Sequence, residues 1–107
     1  MNNEAHELAN DFKCEQHVLG VIISNAKYYS EAQDNINADC FYNNYNRAMY
    51  LAISDIIERG DIPDIVSLTS EMKKKDGYFD ISKILEITER NYYWATFDQD
   101  CARLKEL

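Results

Sequence analysis

Glycine and proline are scarce in this sequence: glycine occurs singly at positions 20, 60 and 77, and the one proline is Pro63. Isolated glycines exclude the G-x-G-x-x-G and G-x-x-x-x-G-K-[ST] loops whose backbone amides cradle phosphates, so no nucleotide-binding loop is encoded. Basic residues are also few. Eleven Lys and Arg face nineteen Asp and Glu, a net charge of −8, which argues against tight, autonomous nucleic-acid binding and favours basic partners. The one basic run, Lys73-Lys74-Lys75, reads as the cationic last turn of a helix, favoured by the helix dipole.

Reactive chemistry is equally sparse. With His6 and His17 the only histidines, there is little from which to build a general base, and the serines Ser24, Ser30, Ser54, Ser67, Ser70 and Ser82 offer no nucleophile elbow. Cys14, Cys40 and Cys101 are odd in number and form no C-x-x-C, which points away from a disulfide framework or a zinc site and fits a reducing cytosol. Cys14 and His17 lie three apart but make only half of a tetrahedral ligand set. Asp55, Glu58, Asp61 and Asp64 lack the alternation of a calcium loop and read as a solvated turn. No apolar run approaches the ~20 residues needed to cross a bilayer, and MNNEAHELANDFK is not a signal peptide. The expectation is a cytoplasmic chain with no catalytic residue, metal or cofactor and no membrane association.

What the 107 residues do contain is apolar and aromatic material, 46% hydrophobic with eight Tyr and one Trp, enough for a single core. Its spacing is helical. Cys14, Val18, Leu19, Ile22 and Ile23 recur at three- and four-residue intervals, placing a first helix after a cap at Asp11. Gly20 lies inside it, at a cost that implies close approach of another backbone. A shorter helix follows Asn25, with Tyr28 or Tyr29, Ala32 and Ile36 inward. The third follows Asn43 and Asn44, with Tyr45, Ala48, Met49, Ala52, Ile53, Ile56 and Ile57 as its stripe and Gly60 as its stop. Pro63 biases Ile62 out of helical geometry, and Asp64 caps a fourth helix carrying Ile65, Leu68 and Met72, closed by Gly77. Asp80 caps a fifth, with Ile81, Ile84, Leu85 and Thr88 on one side, running to about Arg90. Trp94, Phe97, Cys101 and Leu104 continue the helical spacing to the end of the chain. With no strand-like alternation of any length, the fold class expected is all-α, an irregular bundle of five to six short helices. The aromatic run Tyr92-Tyr93-Trp94 with Phe97 sits among Asp98, Asp100 and Glu106, so burial or a protein interface suits it better than base stacking.

Three of these segments together resemble a known family. Cys14-Glu15-Gln16-His17-Val18-Leu19-Gly20-Val21-Ile22-Ile23 is similar to the EQxVLGxxL opening of the N-terminal domain of DnaB-type replicative DNA helicases. Ala38-Asp39-Cys40-Phe41-Tyr42 resembles that family's D-F-Y lead-in to its third helix, with Arg47 at the arginine that follows. Ile56 to Leu68, with Glu58-Arg59-Gly60 and the Asp61-Ile62-Pro63-Asp64 turn, is similar to the ERGxPIDLVTL segment. The likeness covers about Phe12 to Leu107. It departs from the pattern at Asn44-Tyr45-Asn46, where Pro-Ala-His is usual, at the proline, displaced by one place, and at Gly77-Tyr78-Phe79-Asp80, which lacks paired glycines.

The resemblance implies a non-catalytic assembly and primase-docking domain of a homohexameric helicase. Residues 1–11 would form a flexible tail, 12–90 the helical head, and 91–107 the truncated start of the first hairpin helix. Partners would be other copies of the chain, primase and a helicase loader, with weak or no direct nucleic-acid binding. ATP and Mg²⁺ would be used by a motor domain not contained in this sequence. Tyr92, Tyr93, Trp94, Phe97, Cys101 and Leu104 are the interface candidates, part of their stripe expected to lack its normal cover, and Gly20, Gly60, Pro63 and Asp64 the structural ones. A second reading is a free-standing phage or plasmid adaptor that binds a replisome protein.

Overall fold

The computed structural model describes the backbone of residues 3–76, 80–88 and 94–105, and the side chains of 12–74, 80–88 and 95–105. Among these the fold is all-helical: α1 (Asn3–Ser24), α2 (Tyr28–Asn35), a 3₁₀ turn (Ala38–Cys40), α3 (Asn44–Glu58), α4 (Ile65–Asp76), α5 (Ile81–Thr88), a second 3₁₀ turn (Trp94–Thr96) and α6 (Phe97–Lys105). The expected all-α bundle is what forms.

The centre is α1, which packs against α2, α3, α5 and α6. Val18, Leu19, Gly20, Val21 and Ile22 are consecutive and all buried. Such a run exceeds one helical turn of 3.6 residues, so α1 is enclosed on every side there and not along one stripe. The helix also begins earlier than expected. It runs from Asn3, ahead of the cap expected at Asp11. Glu4, Ala5, Glu7, Leu8 and Ala9 favour helix, and no glycine or proline interrupts them.

α3 and α4 form a hairpin-like pair against this centre. Met49, Ala52, Ile53 and Ile56 of α3 and Leu68 and Met72 of α4 are fully enclosed, as their spacing predicts. α3 stops at Gly60, whose φ of 90° suits a residue without Cβ. The Gly60 amide donates to the Ile57 carbonyl at 2.9 Å and the Asp61 amide to that of Ile56 at 3.0 Å, the two bonds of a Schellman stop. The Gly77 stop expected for α4 lies outside the described residues.

One stripe differs from expectation. In α5 the core residues are Ile84 and Ile87, whereas Ile81 is 47% exposed. The helix is turned so that its middle faces α1 and α4, while its first turn lies at the surface, where Tyr45 donates to the Asp80 carbonyl. In α6, Phe97, Cys101 and Leu104 are buried, so these three members of the stripe have cover, while the side chain of Trp94 is not among those described. α1 and α2 supply that cover, with the Tyr28 and Phe97 ring centroids 5.2 Å apart.

The enclosed turn of α1 makes Gly20 a sensitive position. Gly20→Leu adds a branched side chain where the packed neighbours have to absorb it, and should destabilise the fold by about 1–3 kcal/mol. Thermal denaturation measures this. An unchanged melting temperature would mean that nothing crosses α1 at Gly20.

Candidate interaction surface

The motif residues near α1 converge on one junction. Glu15 is fully buried, and its carboxylate reaches the N-terminus of α3. It accepts from the Tyr42 amide at 2.6 Å, the Asn43 amide at 3.3 Å and Asn46 Nδ2 at 2.9 Å. The free amides and positive dipole end of a helix are where a buried anion is best accommodated. Asn43, the cap expected from sequence, accepts from the Asn46 amide at 2.9 Å. Arg47 donates through Nε and Nη2 to the Phe41 carbonyl at 3.2 and 2.9 Å, fixing the lead-in just ahead of the helix. Next to Glu15, Gln16 Nε2 donates to Glu86 Oε1 at 3.2 Å, tying α1 to α5.

A second polar framework sets the α3–α4 turn. Arg59 contacts Asp61 and the largely buried Glu71, both at 2.7 Å. Asp64 and Ser67 cap α4 reciprocally: the Ser67 amide donates to Asp64 Oδ1 at 2.8 Å and the Asp64 amide to Ser67 Oγ at 2.9 Å, a capping box. The Ser67 amide and hydroxyl hold the Asp64 carboxyl below its ordinary 3.8. Asp80, with the Ser82 hydroxyl and amide on its Oδ1, is lowered for the same reason. Pro63 is buried under this turn. The chain between the helices is therefore rigid, yet it leaves Ile62 and Val66 75% and 74% exposed. Both line an open groove of about 510 Å³, together with Asp61, Asp64, Ser67 and Ser70. The other exposed large apolar residues among those described, Tyr42, Leu51 and Ile81, come from three separate segments.

The aromatic candidates are placed differently. Tyr92 and Tyr93 lie outside the described residues, and Trp94 is described only as the first residue of its 3₁₀ turn. Phe97, Cys101 and Leu104 belong to the core and present no surface. Burial pushes the Cys101 thiol up to about 12, with Asp98 and Asp100 adding to the shift, so it stays protonated and inert. His17 Nε2 lies 3.4 Å from Asp100 Oδ2 on α6. Three of the four carboxylates considered as a cation cluster are engaged separately: Glu58 accepts from the Tyr29 hydroxyl, Asp61 from Arg59 and Asp64 from Ser67. Among the described residues no three metal-ligating side chains gather, and no helix is long and apolar enough to cross a membrane.

Sequence reasoning gave Glu15 and Asn46 no role. The signal was there: Glu15 shares a helical face with Val18, Leu19 and Ile22, and a charge within an apolar stripe asks for a buried partner.

The family model described as DnaB-like helicase N terminal domain matches residues 7–106. No curated protein matches the sequence.

Two outcomes follow from the frameworks. Glu15→Gln keeps the shape of the side chain but removes the charge and one acceptor, and should cost roughly 1.5–3 kcal/mol. Chemical denaturation gives the loss, and faster hydrogen exchange at Tyr42 and Asn43 locates it. The lowered carboxyls give the pH dependence. A folded-state value below 3.8 stabilises the fold above that pH, and the contribution disappears as pH falls through the lowered values. Stability should therefore drop on acidification below about pH 3.8, and in Asp64→Asn with Asp80→Asn that part of the drop should be absent.

Proposed function

Since this chain belongs to the DnaB-like helicase N-terminal domain family, we propose that it is a non-catalytic assembly and primase-docking domain of a hexameric replicative DNA helicase. The observation that carries the reading is the family match over residues 7–106. The helical frame supports it. Each motif shared with the family maps to a joint that fixes the frame: Glu15 at the start of α3, Arg47 on the Phe41 carbonyl, Arg59 to Asp64 at the α3–α4 turn. A module that presents surfaces needs such joints, because a preformed surface gives up less conformational entropy on binding.

In this proposal the subunits of a full-length homohexamer pair through the helical hairpin that α6 begins, and primase and a helicase loader dock on the resulting collar. The Tyr92-Tyr93-Trp94 segment belongs to that pairing surface. ATP and Mg²⁺ serve a separate motor domain. With eight more acidic than basic groups, this domain makes little direct contact with DNA and works in the cytoplasm.

The test is titration calorimetry of the complete N-terminal collar, both hairpin helices included, against the C-terminal region of the cognate primase. Binding in the micromolar range or tighter is expected. A complete, folded collar that gives no heat with primase would overturn the docking role.

A further inference from the structure

We propose that the groove at the α3–α4 corner is a docking site for a basic, amphipathic helical segment of a partner protein. The proposal rests on the reading of this domain as a docking module and gives that module a specific face. Two apolar side chains four residues apart, Ile62 and Val66, stand about three-quarters exposed and line the same groove. Residues in a loose loop would turn such side chains inward. These are kept outward by the Schellman stop before them, the buried Pro63 between them and the capping box that straddles Val66.

Size and charge identify the occupant. An open groove bounded by two apolar residues takes one ridge of a helix, read as anchors at i and i+4, and is too small for the face of a folded domain. Asp61 and Asp64 border it on a chain of net charge −8, so the flanks of the segment are basic. Arg59, the one cation among the described lining residues, is shared between Asp61 and Glu71, so with Asp64 the corner stays net negative. Lys74, exposed further along α4, lies eight residues from Val66, about 12 Å at the helical rise. It repels a segment basic along its whole length. The basic flank therefore sits over the Asp61 and Asp64 end, and the segment crosses α4 without running down it. A second copy of the chain is the rival occupant. Its own charge of −8 opposes the approach.

The probe is a fluorescein-labelled helical peptide with Leu at i and i+4 bounded by Lys, titrated by anisotropy against the whole chain. The comparison is Ile62→Asp with Val66→Asp, both exposed sites, with helical content checked by circular dichroism. The double variant adds two negative charges, so attraction by net charge alone would tighten binding. Docking in the groove predicts binding weaker by about tenfold or more, and no binding of the peptide with Glu in place of Lys. Unchanged or tighter binding by the folded variant overturns the proposal, as does equal binding of the Glu peptide. So does a concentration-dependent dimer in sedimentation that the double variant abolishes, which would make the groove a self-interface. Because the probe is not primase, a collar that ignores primase while its groove takes the peptide would refute the primase role and leave the groove standing.

Discussion

The architecture depends on enclosing one helix from every side. Between Val18 and Ile22 no face of α1 is left for water, so α2, α3, α5 and α6 have to be positioned around it at once. Burial of this kind is worth on the order of 1.5–3 kcal/mol for each large aliphatic side chain, but it is non-directional and does not say where each neighbour must sit. Position comes from polar groups at the margins of the apolar stretch. Glu15 pins the start of α3 and Gln16 pins α5. On the other side of the helix His17 meets Asp100, and the Cys14 thiol donates weakly to the Asp100 carbonyl at 3.5 Å, placing α6. Four successive residues thus address three different helices.

A buried carboxylate is an expensive way to set a position unless its oxygens are satisfied. Glu15 meets that condition with donors only: two backbone amides and one side-chain amide. One of these, the Asn43 amide at the N-cap, is a group that a helix start leaves without an intrahelical partner, so one side chain answers its own desolvation cost and that of the helix start. Glu71 repeats the device at the opposite end of α3, where Arg59 reaches it from the C-terminal cap. Both ends of the longest fully described helix in the frame are therefore locked by a carboxylate from another element, and the α3 stripe has little freedom to rotate.

Local features of this kind were readable in the sequence wherever a residue type has one structural use. Asn43, Gly60, Asp64 and Asp80 stand where caps and stops were expected, because backbone amides and a positive φ call for those side chains regardless of what lies nearby. Phase was less legible. In α5 the positions 81, 84, 85 and 88 and the positions 84, 87 and 88 are both helical stripes, and only the contacts to α1 and α4 choose Ile87 over Ile81. The start of α1 was misplaced because no residue there has a cap's single meaning. The α6 stripe was found, but the elements that cover Phe97, Cys101 and Leu104 were not, since spacing reports that a face is apolar and not which element meets it.

The same reasoning separates the surface from the core. Where Glu15, Gln16 and Glu71 lie buried, each meets a hydrogen-bond partner from another element, so these groups offer no ready binding chemistry, and the Cys101 thiol is pushed away from reactivity. Recognition has to come from outward-facing groups that the frame holds still. At the α3–α4 corner the groups that stiffen the turn, Asp61 and Asp64, also set its charge. Rigidity and electrostatic character there cannot be varied independently: a change that makes the corner less acidic also loosens it. A partner reading this corner would sense both together, which makes it a more discriminating surface than scattered exposed residues such as Tyr42 and Leu51.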